Sequence, residues 1–270
     1  MGGGRGRPRA ALGSLGRSDP SLKPGGSAFE ATGSRHHGRN DRDRATGGGT
    51  HVIEQPELRE GETLLTTIRH GLTELNRDKR VGGRIDVPLI DEGRRQAREA
   101  AARFDGTPFD VAISSPLRRA IETATIVTGL PEDALVIDEL CTERSFGAME
   151  GLRPVEVRER YPEVRYLRIG HIGYSLNPPG GEPFPELHER AKRFLARTLE
   201  RFGGRRILVF SHQNFMQQLH GAIRGLDPWT SLEYDILNCE LNQFHLGPGG
   251  ELLGHRVVQL VPDAAKHPSF

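Results

Sequence analysis

The sequence predicts an α/β fold, a three-layer α/β/α sandwich around a mostly parallel central sheet. Three observations lead there. Short runs such as "TLLTTI" and "RRILVFSH" carry adjacent apolar residues and no charge in their middle, as strands buried on both faces do. Between such runs lie stretches whose apolar residues recur at helical spacing. The two kinds of segment alternate along the chain, which is how strands joined by covering helices read.

The elements follow in order. "TLLTTI" (63–68) is the first strand. "DEGRRQAREAAARF" (91–104) is a helix with Asp91 as its N-cap. "FDVAISS" (109–115) is the second strand. "PLRRAIETATIVTG" (116–129) is a helix with Pro at its first position and Gly just past its end. "ALVIDEL" (134–140) is the third strand. Residues 153–183 read as a short helix followed by a loop punctuated by Gly and Pro. "FPELHERAKRFLARTLERF" (184–202) places Leu187, Ala191, Phe194, Leu195, Leu199 and Phe202 on one helical face. "RRILVFSH" (205–212) is the fourth strand, followed by the helix "NFMQQLHGAIRG". "CELNQFHLG" and "LLGHRVVQL" close the domain as a pair of strands.

The 270 residues carry a formal net charge of +1, so no global field points to nucleic acid or an anionic membrane as partner. Cys141 and Cys239 form neither a disulfide framework nor a metal-ligand spacing, and a cytoplasmic setting is expected. No apolar run is long enough to span a bilayer, and the N-terminus lacks the apolar stretch of a signal peptide. Residues 1–60 are rich in Gly, Arg, Ser and Pro and poor in large apolar side chains, so they are expected to be a disordered tail. Such a tail is inert, a targeting segment or an interaction arm. Its pair His36-His37 is expected to be solvated, with no metal role. The folded domain is expected to span 61–263, with 264–270 as a C-terminal tail.

In parallel sheets ligands bind beyond the carboxyl ends of the strands. Four polar groups collect there. Arg69-His70-Gly71 follows the first strand, and Ser114-Ser115-Pro116-Leu117-Arg118-Arg119 the second. Glu143-Arg144 follows the third, and Ser211-His212-Gln213-Asn214 the fourth. Each alone reads well as a structural residue or a solvated charge. Their coincidence at successive strand ends is harder to explain that way, because several buried cations need an anion to compensate them.

With those residues in view, the chain resembles the histidine phosphatase superfamily, the phosphoglycerate-mutase-like fold. The family's first motif is met by Arg69, His70, Gly71, Leu72, Thr73, Glu74, Leu75 and Asn76. "GRIDVPLIDEGRRQA" (83–97) and "SSPLRRAIETA" (114–124) resemble the next two segments, and the latter selects Arg119, not Arg118, as the pocket arginine. "ERSFGAMEG" (143–151), "PPGGEPFPEL" (178–187) and "ILVFSHQNFMQQL" (207–219) resemble the segments that follow, in the family's order. Leu72, Gly82, Ile90 and Pro183 depart from the usual pattern without removing a catalytic residue. Leu72 is the first place to look for selectivity.

The resemblance implies a chemistry. Arg69 and Arg119 would grip a phosphate monoester through their guanidinium forks, with Asn76, Gly83 and Gln213 as further substrate-binding residues. Gly71 would let the chain pass close to the phosphate. His70 would be the nucleophile, neutral at one ring nitrogen because flanking arginines favour that form. His212 would stabilise the phosphoryl oxygens if protonated, or otherwise orient His70. Glu143 would donate a proton to the leaving oxygen, provided Arg144 points away from it. Arg165, Arg168, His171 and Tyr174 are candidates for contact with a second anionic group. No metal or cofactor is implied.

The expected function is a phosphatase acting on a small phosphorylated metabolite through a phosphohistidine. The alternatives are a phosphoglycerate mutase sharing the first step and a non-catalytic sensor. The connection of about 30 residues before the long helix is short for a mutase. Oligomeric state is not legible.

Overall fold

The computed structural model describes residues 53–262. Most of the expected tail, and residues 264–270, lie outside them. Ile53, within the expected tail, contacts the domain expected to begin at residue 61. It is buried in the main core, and its N–H donates to Thr107 Oγ1 at 3.3 Å. One apolar residue inside a polar stretch anchors the chain ten residues before the first strand.

The elements are β1 (Thr63–Arg69), α1 (Glu74–Arg77), α2 (Asp91–Phe104), β2 (Val111–Ser114), α3 (Arg118–Thr128), β3 (Val136–Ile137), α4 (Pro154–Arg160), β4 (Tyr166–Ile169), β5 (Ile172–Ser175), α5 (Phe184–Phe202), β6 (Arg206–Ser211), α6 (Gln213–Arg224), β7 (Glu240–Leu246) and β8 (Leu252–Gln259). A six-stranded sheet has the order β3-β2-β6-β1-β7-β8. The first four run parallel, and β7 and β8 add antiparallel neighbours. This is a mixed, mostly parallel α/β sheet, as expected.

Side chains alternate faithfully across the sheet. Leu65, Ile207 and Val209 face one core with Leu187, Ala191, Phe194, Phe215 and Leu219 from α5 and α6. Ile68, Leu208 and Phe210 face the other with Ala97, Ala100, Ile121 and Ala124 from α2 and α3. Both faces are covered, which is why β1 is buried on every residue and β6 on all but its first.

Several boundaries differ from expectation. Asp91 is the first helical residue, and Ile90 stands in the cap position without a side-chain bond. α3 begins at Arg118, since Leu117 takes an extended conformation there; Gly129 ends it at φ 70°. β3 shrinks to two residues, flanked by 3-10 turns at Glu132–Ala134 and Glu139–Cys141. The loop expected after α4 contains the β4–β5 hairpin, whose Ile172 and Tyr174 pack into the α5–α6 core. Alternation over four residues is too short to stand out beside the glycines and prolines around it.

Gly71 and Gly93 make a contact that sequence reading does not show. A Cβ on Gly71 would lie 2.6 Å from the Gly93 carbonyl oxygen, and one on Gly93 would fall on the Leu72 carbonyl oxygen. Gly71 is therefore required by the first turn of α2 packing against the β1 exit. Leu72 is buried in the same contact and donates its N–H to Gln96 Oε1 at 2.9 Å. Gly93→Ala is expected to destabilise the fold by about 1–3 kcal/mol, the usual range for overpacking. The check is a lower urea midpoint at unchanged slope.

Candidate active site

The site follows from strand register. Arg69 at the end of β1 pairs with Ser211 at the end of β6, and Ser114 at the end of β2 pairs with Phe210. The next residues of the three strands, His70, His212 and Ser115, therefore emerge beside one another. The His70 N–H still donates to the Ser211 carbonyl at 3.1 Å. The two imidazole rings stand 5.1 Å apart, tilted by 54°.

His70 Nδ1 lies 2.7 Å from the Gly71 carbonyl oxygen, so Nδ1 carries the proton and Nε2 keeps its lone pair. The Asn238 amide donates to the His70 carbonyl at 2.6 Å and pins the backbone. Burial, then the charges of Arg119 and Arg69, push the His70 pKa well below the usual histidine range. The neutral imidazole is the stable form.

Arg119 is tied down on every arm. Its Nε donates to His212 Nδ1 at 3.2 Å, its Nη1 to the Ile85 carbonyl at 2.8 Å and its Nη2 to the Gly83 carbonyl at 2.7 Å. Burial lowers it to about 10, against the pull of Glu143. Because Arg119 donates to Nδ1, His212 must carry its proton on Nε2, which donates to Ser115 Oγ at 2.8 Å. Burial and Arg119 push the His212 pKa well below the usual range. Of the two roles read for His212 from sequence, a neutral ring with both nitrogens engaged fits the orienting one.

Glu143 caps α6. Its Oε1 accepts from Arg144 N at 2.8 Å and Phe215 N at 3.2 Å, and its Oε2 from Asn214 N at 3.4 Å. A carboxylate suits a helix N-terminus, where N–H groups lack partners. Arg144 points elsewhere, as the acid role requires. Its Nε donates to the Glu182 carbonyl at 2.7 Å and its Nη2 to the Ser175 carbonyl at 2.8 Å, with the guanidinium 3.7 Å from the centre of the Phe184 ring.

A cavity is lined by His70, Thr73, Asn76, Arg80, Gly83, Arg119, Glu143, Phe146 and Asn214, with Leu75 and Gly82. Asn76 Oδ1 is taken by Thr73, which leaves its NH₂ to serve the cavity. Gly83 has φ 51° and packs on the Glu150 carboxyl, which only a glycine allows. Arg69 is not among the lining residues; it is buried, its Nη1 donates to the Ile236 carbonyl at 2.6 Å, and its charge is one cause of the lowered His70 pKa.

Other expected contacts are not brought together. The Gln213 amide lies 3.3 Å from Asp235 Oδ1 and does not line the cavity, whereas its neighbour Asn214 does. Arg165, Arg168 and His171 are exposed and off the cavity, and Tyr174 is a core residue donating to the Leu232 carbonyl at 3.2 Å. Leu72 also does not line it. Arg80 and Phe146 are not singled out by the sequence, and Asn214 only as part of the group after the fourth strand. Asn214 and Phe146 each sit within three residues of a singled-out residue, and that adjacency was the available signal. Among the described residues, no cluster of three His, Cys, Asp or Glu could hold a metal, and no helix is long and apolar enough to cross a membrane.

Residues 65–257 match the histidine phosphatase superfamily (branch 1). The chain belongs to this superfamily. It is 40% identical over 193 residues to the bifunctional protein Rv2228c of Mycobacterium tuberculosis, covering 68% of this chain and 50% of that one. The chain thus spans about half the length of that curated relative. It is 35% identical over 166 residues to a 2,3-bisphosphoglycerate-dependent phosphoglycerate mutase of Parvibaculum lavamentivorans, covering 58% of this chain and 77% of that enzyme. The structure of a phosphoserine phosphatase from Entamoeba histolytica superposes with a TM-score of 0.60 at 24% identity, over 73% of this chain and 98% of that one. That likeness shows the fold alone.

The buried histidines give a pH signature. Burial first, then neighbouring cations, lower His70 and His212, and the same holds for His220 beside Arg224. Between those folded values and the ~6.5 of free imidazole the unfolded chain binds more protons. Their stabilising contribution is complete above ~6.5 and is lost as pH falls below it. Each histidine is expected to add up to ~1.4 kcal/mol of lost stability per pH unit, measurable by denaturant titrations from pH 7.5 to 5.

Proposed function

We propose that this protein is a metal-independent phosphomonoesterase that hydrolyses a small phosphorylated metabolite through a phosphohistidine on His70. The observation that carries the reading is His70 itself: Nδ1–H is locked on the Gly71 carbonyl, and Nε2 is held neutral in a cavity beside Arg119.

A phosphate monoester bears nearly two negative charges. Arg119, fixed before any substrate arrives, meets that charge from the cavity wall, and buried Arg69 adds its field. Asn76 supplies a neutral donor. In the first step Nε2 forms a bond to phosphorus while the bond to the leaving oxygen breaks. The Glu143 carboxyl gives that oxygen its proton, and Oε2, with a single contact at 3.4 Å, is the oxygen suited to carry it. In the second step water attacks the phosphohistidine, Glu143 takes the proton from water, and the N–P bond breaks to free orthophosphate. Neutral His212 holds the Arg119 Nε and backs the His70 ring.

Hydrolysis is favoured over phosphoryl return because no residue of 153–183 lines the cavity, so that connection does not wall the phosphoenzyme off from water. The mutase reading draws on the 35% identical mutase relative.

Protein dialysed against a chelator is expected to release orthophosphate from p-nitrophenyl phosphate, and His70→Ala to abolish release. Metal dependence or an active His70→Ala variant would overturn the mechanism. With 3-phosphoglycerate, net orthophosphate is expected. Conversion to 2-phosphoglycerate without it would establish the mutase instead. Arg119→Ala is expected to lower kcat/KM by about 10²–10³, the usual scale for removing an electrostatic stabiliser.

A further inference from the structure

We propose that Arg190 and Glu182, joined by Arg84, form a clamp that positions Glu143 for proton transfer; the inference rests on the phosphomonoesterase reading above. The main chain around Glu143 needs such support. β3 ends at Ile137, the chain then passes through the 3-10 turn Glu139–Cys141, and Glu143 follows beyond any strand.

A guanidinium takes the place of a neighbouring strand. Arg190, buried on α5, donates from Nη1 to the Leu140 carbonyl at 2.8 Å and the Thr142 carbonyl at 2.7 Å. Its Nη2 reaches the Glu143 carbonyl at 3.3 Å. The remaining donors form a fork on Glu182, with Nε to Oε1 and Nη2 to Oε2 both at 2.7 Å. Burial alone would raise the Glu182 pKa, but the Arg190 fork holds it below the usual carboxylate range.

The clamp also reaches the phosphate side. Arg84 Nη2 lies 3.5 Å from Glu182 Oε2, and Arg84 Nε donates to the Glu143 carbonyl at 3.3 Å. Arg84 is the next residue after Gly83, whose carbonyl holds Arg119. One network therefore fixes the proton donor relative to the arginine that meets the phosphate. Arg190 also lies 5.4 Å from the centre of the Phe215 ring, and the Phe215 N–H is a Glu143 donor. None of Arg84, Glu182 and Arg190 lines the cavity. They act through Glu143 and are positioning residues.

Leaving-group dependence separates this role from general support of the fold. p-Nitrophenolate departs without a proton, whereas the alkoxide of an alkyl phosphate needs one. The measurement is kcat/KM for p-nitrophenyl phosphate and for glycerol phosphate, in Arg190→Lys, Glu182→Gln and Glu143→Gln. Arg190→Lys keeps the charge but not the fork. It is expected to lower kcat/KM for glycerol phosphate at least tenfold more than for p-nitrophenyl phosphate, within the ~10²–10⁴ range of general acid catalysis. Glu182→Gln is expected to shift the ratio in the same direction, and it serves if Arg190→Lys does not fold. A selective Glu143→Gln alongside clamp variants that lower both substrates equally would overturn the clamp. An unselective Glu143→Gln would overturn the acid role, and with it the reading on which the clamp rests.

Discussion

The parallel pairing of β1 with β6 is the constraint on which the rest of the site depends. Arg69 lies opposite Ser211, so the residues that follow leave the sheet side by side. A slip of one residue would send every side chain of one strand to the other face. Such a slip is blocked twice over, because Leu65 and Ile68 on β1, and Ile207, Leu208, Val209 and Phe210 on β6, are committed to different cores. The imidazole spacing is thus fixed by hydrophobic sorting well below the site.

Around that pair the polar groups are satisfied mainly by the backbone. His70 is oriented by the Gly71 carbonyl, Arg119 by those of Gly83 and Ile85, and Glu143 by three N–H groups. Preorganised dipoles of this kind need no rearrangement as charge develops. Burial serves the same end. It disfavours the imidazolium at His70 and His212, and the buried arginines act in the same direction. A neutral imidazole and its cationic surroundings can therefore coexist a few ångströms apart.

Much of this was legible in the sequence, for physical reasons. Strands covered on both faces read as adjacent apolar residues with no charge in their middle, and α5 shows its buried face as Leu187, Ala191 and Phe194. The strand ends then locate the site. What stayed hidden depends on contacts between distant segments. Gly71 looked like a glycine making room for phosphate, but its neighbour is Gly93 on α2. Gln213 and Asn214 are both polar and adjacent, and only the start of α6 decides that Asn214 meets the cavity. The proton position on His212 is set by Arg119, which lies 93 residues away in sequence. Tyr174 sits in a stretch rich in glycine and proline, and nothing local announces that its hairpin packs into the core.

The dependence of Arg119 on main-chain carbonyls has a consequence for how this site can change. Both carbonyl partners belong to the short stretch of 83–85, and every residue has a carbonyl to offer. The Ile85 side chain can vary without altering the field in the cavity, so long as the path of the chain is kept. Arg84 and Gly83 are the exceptions, Arg84 because its guanidinium meets Glu182 and the Glu143 carbonyl, Gly83 because its left-handed conformation sets that path. Variation can therefore accumulate at the cavity's side chains, such as Leu75, Arg80 and Phe146, while the charge of Arg119 stays fixed beside them.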